Sequence, residues 1–301
     1  MQRMYTTSYR SNNRFAQPPA PKKHRRRRLL WPLIILFLVI GGLHLYNPFE
    51  PHGDADKKAS AVVLPVLPPT LVSQMSSQIN SAISNYPNMQ VGVAIEDLNN
   101  GARYHFGLSE PFVAASVSKV LTATMYLKQV ENGKYTLTQS LGGYPAQYEI
   151  QQMIEQSDNT AWNNLNTLLT HAGLESYAQS IGLTNYDPDQ NTLTVDDISL
   201  LLSKIYSEKL LNHADTQLLL SYMHDADYAD YIPASIPAGV TVYHKAGWLD
   251  DRVHDAAIID NGKHPYVLVI FTKTADGSEY PTDEGHQIFA DITTATTKVF
   301  L

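Results

Sequence analysis

Phe112-Val113-Ala114-Ala115-Ser116-Val117-Ser118-Lys119-Val120-Leu121 is the stretch on which the reading of this chain turns. An apolar lead-in runs into the opening of a helix, and three residues is nearly one turn, so the Ser116 and Lys119 side chains share a face. A serine hydroxyl attacks a carbonyl only after losing its proton, and a partly desolvated lysine with a depressed pKa can accept that proton. Alone, Ser-x-x-Lys equally describes a helix cap followed by a solvated lysine. Two further motifs follow. Ser157-Asp158-Asn159 lies 41 residues on, in a polar stretch just ahead of a helix carrying Trp162 and Leu165. Lys245-Ala246-Gly247 ends the run Thr241 to His244, which places a lysine at the end of a strand. Each has an ordinary reading as well, a Ser or Asp helix cap for one and a solvated strand-end lysine for the other.

In this order the three motifs resemble those of the class A β-lactamases and their penicillin-binding relatives, across Thr70 to Leu301. The resemblance implies an α+β fold in two parts, an antiparallel sheet flanked by terminal helices with an all-helical insertion. It implies a serine hydrolase that attacks an amide, in a β-lactam or a peptidoglycan-type peptide, through an acyl-serine intermediate. Ser116 would be the nucleophile, Lys119 its base, and Ser157 the relay that carries a proton to the leaving nitrogen. Asn159 would hold a substrate amide, with Asp158 pointing inward to brace the loop. Lys245 would supply positive potential for a substrate carboxylate, Gly247 would let backbone approach the substrate, and the N–H groups of Ser116 and Trp248 would stabilise the oxyanion.

Two departures bear on activity. The family carries Thr or Ser where this chain has Ala246, and losing that hydroxyl weakens carboxylate binding by roughly 1.5 to 3 kcal/mol; Arg252 is the candidate replacement cation. Tyr186-Asp187-Pro188-Asp189-Gln190-Asn191 resembles the family's acid-Pro-acid-x-Asn loop, so Asp187 is the candidate for the deacylating carboxylate and Asn191 for the residue that helps hold its water. A plain Pro-Asp turn is the alternative, and it means acylation without rapid hydrolysis. Two other readings therefore stand beside the hydrolase: a penicillin-binding or D,D-peptidase-like protein with slow deacylation, and a non-catalytic binding domain that kept the fold.

Outward from the motifs, Leu71, Met75, Ile79, Ile83 and Tyr86 recur at helical spacing, with Thr70 as the expected cap. Val91, Val93 and Ile95 alternate up to the turn Asn99-Asn100-Gly101, and Ala102 to Phe106 forms the return strand. The pattern from Ala114 to about His224 is helical throughout. Strands then return at Val240 to His244, Ala256 to Ile259 and Tyr266 to Phe271, and a last helix from about Thr282 puts Ile288, Ile292, Ala295 and Val299 on one face.

Residues 1–28 form a basic tail with nine Lys or Arg and no acid, and setting these aside from the net charge of −7 leaves −16 on the rest. An acidic globular part repels phosphate and argues against nucleic acid as partner. Leu29 to Tyr46 reads LLWPLIILFLVIGGLHLY, eighteen residues without Asp, Glu, Lys or Arg, at the short end of what spans a bilayer. Arg25 to Arg28 immediately before it predicts a single-pass anchor with the N-terminus in the cytoplasm and the hydrolase domain outside. A cleaved signal peptide is the competing reading, but no small-x-small site follows the apolar run. Residues 47–69 are a Pro-rich tether and the domain proper is 70–301. The chain has no cysteine, so no disulfide framework and no lipid-modified cysteine. Its 11 histidines show no tight ligand spacing, His254-Asp255 reads as a structural pair, and there is no phosphate-binding glycine loop. No metal and no cofactor are expected; the expected partners are a small-molecule or peptide substrate and the membrane.

Overall fold

Two apolar faces of one sheet organise the domain. The structure, a computed structural model, describes residues 67–301; the basic tail, the apolar run of 29–46 and all but the end of the tether lie outside those residues. Helix α1 (Pro69–Ser84) leads into β1 (Met89–Asp97) and β2 (Arg103–Gly107), then a short β3 (Phe112–Val113). A 3-10 turn (Ala115–Ser118) runs directly into α2 (Lys119–Glu131). A two-stranded hairpin, β4 (Ser140–Leu141) and β5 (Tyr144–Pro145), precedes α3 (Ala146–Glu155), α4 (Asn159–Leu169) and α5 (His171–Ser180). The short β6 (Thr192–Leu193), α6 (Val195–Tyr206) and α7 (His213–His224) complete the insertion. The chain ends with β7 (Thr241–Leu249), β8 (Arg252–Asp260), β9 (Tyr266–Thr274) and α8 (Thr282–Phe300).

The sheet runs β2-β1-β9-β8-β7, antiparallel throughout, so the first hairpin and the last three strands join although the helical block separates them in sequence. Strand alternation sorts the side chains onto two faces. Val91, Val93, Ile95, Leu268 and Ile270 pack on Met75 and Ile79 of α1 and on Ile288, Phe289 and Ile292 of α8. Ala94, Ala256, Ile258, Val267, Val269 and Phe271 face the helical block. Each fully buried large aliphatic contributes about 1.5 to 3 kcal/mol, so these two layers supply the stability that disulfides cannot.

Several boundaries differ from the sequence expectation. Thr70 is not the cap of α1, because Pro69 stands at the first helical position, where its fixed φ is already helical and its missing N–H goes unneeded. The insertion is not all-helical: Phe112 and Val113 pair with Leu193 and Thr192, and a second two-residue pair closes Ser140 to Pro145. Strands this short leave no periodic trace. The capped start expected at Thr194 is present as a capping box, with Asp197 N–H donating to Thr194 Oγ1 at 3.0 Å and Thr194 N–H to Asp197 Oδ2 at 3.2 Å.

Candidate active site

Ser116 lies in the 3-10 turn, where side chains three apart eclipse, so Ser116 and Lys119 stand along one edge. The turn is clamped from two sides. Ala114 N–H donates to Asn191 O at 2.8 Å, and Asn191 Nδ2 donates to Ala115 O at 3.0 Å. From the sheet side, a Cβ on Gly247 would fall 2.5 Å from the Ser116 amide nitrogen and 3.0 Å from that of Val117. Glycine at 247 is thus what lets β7 lie against the backbone of Ser116.

Lys119 and Lys245 converge on the Ser157 loop, and both are fully buried. Lys119 Nζ donates to Ser157 O at 2.6 Å and to Asn159 Oδ1 at 2.7 Å, with Ser157 Oγ at 3.5 Å. Lys245 Nζ donates to Ser157 Oγ at 3.0 Å and to its neighbour's carbonyl, Ala246 O, at 3.1 Å. Burial and the adjacent Lys245 charge lower the Lys119 pKa to about 7, against a smaller opposing pull from Asp158. Burial likewise lowers Lys245 to about 8, partly offset by Asp255 and Asp227. Lys245 stands in the middle of β7, not at a strand end, which is why it is buried rather than solvated.

Above these lysines opens a cavity of about 450 Å³, whose wall includes Ser116, Asn159, Trp162, Asn163, Asn191 and Trp248. It shares Trp162, Asn163 and Asn191 with a second groove of about 550 Å³ that runs on past Thr170, His171 and Asp189. Backbone strain collects here. Of the six non-glycine residues with positive φ among those described, Ala115 and Asn191 line the cleft, Ser157 is bonded by both lysines, Thr170 borders the groove and the Tyr228 ring lies 4.4 Å from that of Trp248, tilted by 59°. Such conformations cost about 1 to 3 kcal/mol each and persist where surrounding structure imposes them. A hydroxyl on one edge with an amine of near-neutral pKa, and a second hydroxyl bonded to a second amine, can move a proton onto and off a nucleophile at neutral pH.

A family model described as "Beta-lactamase enzyme family" matches residues 74–300. The chain belongs to the beta-lactamase enzyme family. Among solved structures, PBP-A is 26% identical, with 79% of this chain and 98% of that one covered at a TM-score of 0.71. A PBP-A variant solved as an acyl-enzyme complex with penicillin G is also 26% identical, over 76% of this chain and 97% of that one, at TM-score 0.69. An ancestral class A β-lactamase is 22% identical over 75% of this chain and 100% of its own, at TM-score 0.70, a likeness of fold. The α+β fold of the class A β-lactamases is therefore the fold of this chain.

Set in that beta-lactamase frame, the expected site residues divide. Ser116, Lys119, Ser157, Asn159, Lys245, Gly247 and Trp248 come together at one cleft. Asp158 does not point inward; it caps α4, accepting from Ala161 N–H at 2.8 Å, and stays exposed. Arg252 is no replacement cation for the cleft, since its guanidinium is held by Asp251 through two bonds of 2.6 Å. Asp187 is not among the residues lining the cavity beside Ser116. Its Oδ1 accepts from Asp189 N–H at 2.8 Å and Gln190 N–H at 3.0 Å, while Asp187 and Thr192 exchange backbone bonds that close the turn. These are the bonds of a Pro-Asp turn, in which an Asp side chain accepts from the amides that follow it.

His254 and Asp255 do not pair with each other, since neighbours along a strand face opposite sides. His254, fully buried, has Nε2 2.9 Å from Val113 O and accepts Thr272 N–H at Nδ1. Burial outweighs these contacts and lowers its pKa to about 4, so it is a neutral strut behind the residues leading to Ser116. Asp255 instead meets His244 Nδ1 at 3.1 Å and accepts Ile232 N–H at 3.1 Å. Trp162, legible in the sequence only as a helix-face apolar, is a wall of the cleft, its Nε1 donating to Thr122 Oγ1 at 3.1 Å and its ring 5.5 Å from Lys119 Nζ. Among the described residues, no group of three or more His, Cys, Asp or Glu is placed to hold a metal ion.

Proposed function

We propose that the protein is a serine hydrolase acting on an amide, in a β-lactam or a peptidoglycan-type peptide, through an acyl-Ser116 intermediate. The observation that carries this reading is the convergence of Lys119 and Lys245 on Ser157 beside the turn that holds Ser116. Lys119 in its neutral form takes the Ser116 proton as Oγ bonds to the carbonyl carbon, and the N–H groups of Ser116 and Trp248 receive the oxyanion. The proton passes through Ser157 to the leaving nitrogen as the C–N bond breaks; water then cleaves the ester. Penicillin G forms an acyl-enzyme with the similar PBP-A variant, which supports β-lactams as first probes.

A second reading, slow deacylation of the penicillin-binding kind, is favoured by a specific observation. No Asp or Glu lines the cavity beside Ser116, and Asp187 is engaged in its own turn. On this reading the adduct forms and persists. For placement, we propose that residues 29–46 anchor the chain with its domain outside the cytoplasm; among the described residues no helix is long and apolar enough to cross a membrane. The test is intact-mass spectrometry of the full chain in detergent with benzylpenicillin over time, beside Ser116→Ala. The serine form gains the mass of the drug and the alanine form does not; an adduct that survives Ser116→Ala refutes the assignment, and the adduct's lifetime separates the two readings.

A further inference from the structure

The groove of about 550 Å³ that continues from the cleft has no part in the chemistry assigned to Ser116. One of its walls is a face of α4. Asn159 lines the cleft, and Asn163, Asn166 and Thr170 follow it at helical spacing, which keeps them on that face. Asn163 and Thr167 are exposed along it. Asn166 is set in place by the buried Thr122 of α2. Trp162 Nε1 donates to Thr122 Oγ1 at 3.1 Å, so the Thr122 hydroxyl directs its own hydrogen to Asn166 Oδ1 at 3.0 Å. The Asn166 carbonyl is thereby held toward α2 and its two amide N–H donors are turned away from it. The opposite wall is Pro188, Asp189 and Asn191, from the turn that Asp187 closes. At the far end His171 Nδ1 lies 2.7 Å from Asp189 Oδ1, a bridge from the start of α5 to that turn.

We propose that this groove is a subsite for the acyl side of an extended peptide substrate, holding the three or four uncharged residues that precede the one attacked by Ser116. This rests on the reading of Ser116 as nucleophile and Ser157 as proton relay. Ser157 stands just before α4 and takes the leaving group, so the acyl part of a substrate runs the other way, along the later turns of the helix. From Asn163 to His171 the rise is about 12 Å at 1.5 Å per residue. Extended chain at about 3.3 Å per residue fills that length with between three and four residues. A peptide backbone offers alternating C=O and N–H groups, which the Asn163 amide, the Asn166 N–H donors and the Thr167 hydroxyl can meet without bringing a charge into the groove. Thr170 Oγ1 accepts Gly173 N–H at 3.1 Å and keeps its own hydrogen to donate. A sugar chain gains most from aromatic faces, and beyond Trp162 no Trp, Tyr or Phe lines the groove. Contacts this far from the reacting carbon speed the acylation of long substrates only.

The experiment measures second-order acylation of Ser116 on the full chain in detergent, by thiol release and intact mass. The probes are thioesters of one leaving thiol, whose acyl part is N-acetyl-D-alanine or the same residue extended by one, three or five uncharged residues. Ser116 Oγ bonds to the carbonyl carbon, the C–S bond breaks and the thiol leaves with the proton. The three-residue extension is expected to react about tenfold faster than the acetyl compound, the worth of one or two net hydrogen bonds, and the five-residue extension less than about twofold faster again. Thr167→Trp fills the groove from an exposed position, and Asn166→Leu removes the oriented amide; each is expected to bring the long-to-short ratio to within about threefold of one. Should Asn166→Leu not fold, Thr167→Trp decides alone. A ratio that survives either folded variant overturns the proposal, as does a rate gain from an N-acetylglucosamine disaccharide extension that the peptide extensions do not match. Labelling of Ser116 at one rate whatever the length refutes the groove and leaves the nucleophile standing. No label on Ser116 from any thioester refutes the nucleophile, and the role of the groove with it.

Discussion

Lys119 and Lys245 differ from solvated lysines because burial, reinforced at Lys119 by the neighbouring Lys245, removes much of the preference for the charged form. The mechanism needs Lys119 neutral and Lys245 charged. Below pH about 7 Lys119 holds its proton and cannot accept another; above pH about 8 Lys245 loses the charge that orients Ser157. Acylation rate against pH is therefore expected to be a narrow bell between those limbs, which belong to the pair jointly since the two amines interact. A rate that climbs without limit to pH 10 contradicts the role given to Lys245. At Asp187 the expectation is the reverse of a catalytic one. Asp187→Asn keeps an oxygen for the turn amides and should change the acyl-enzyme lifetime less than twofold, measured by mass; a tenfold longer lifetime would restore Asp187 as the deacylating group.

At the scale of elements, the decisive contact is between β7 and the 3-10 turn. Gly247→Ala puts a methyl group 2.5 Å from the Ser116 nitrogen, and since that neighbour is backbone the strand or the turn must move. Overpacking of this kind costs about 1 to 3 kcal/mol, and a displacement near 1 Å at a reacting group costs about a hundredfold in rate. Gly247→Ala is thus expected to unfold at slightly lower denaturant while acylating Ser116 about a hundredfold more slowly, as checked by urea titration and mass kinetics on one preparation. Elements of regular period are legible in the sequence: the Val91-Val93-Ile95 alternation, the Asn99-Asn100-Gly101 turn and the α8 face fall where expected. The pairing of Phe112 with Leu193 is not legible, because two residues carry no periodicity and the partner is distant in the chain.

For the whole molecule, His254 links the sheet to the segment leading into Ser116 and sets an acid limit on the fold. Its pKa is about 4 when folded, against an ordinary value of 6.5. Between those values the unfolded chain takes up a proton that the folded one refuses, so stability falls as pH drops from about 6.5 toward about 4, by on the order of 3 kcal/mol from this group. Urea midpoints at pH 6.5, 5.5 and 4.5 should show that decline, and His254→Gln should flatten it. The sequence alone determined the order of the long strands and helices, the three motifs and the place of Ser116 at a helix opening, since each of these is written in residues a few positions apart. Only the tertiary structure decided which lysines share Ser157, because Lys119 and Lys245 lie 38 and 88 residues from it. It likewise decided that Arg252 is bound to Asp251, that Asp187 closes its own turn and that Asp255 pairs with His244. The reason is physical: local patterns record which face of an element is buried, whereas the partner a charge finds depends on how distant elements pack.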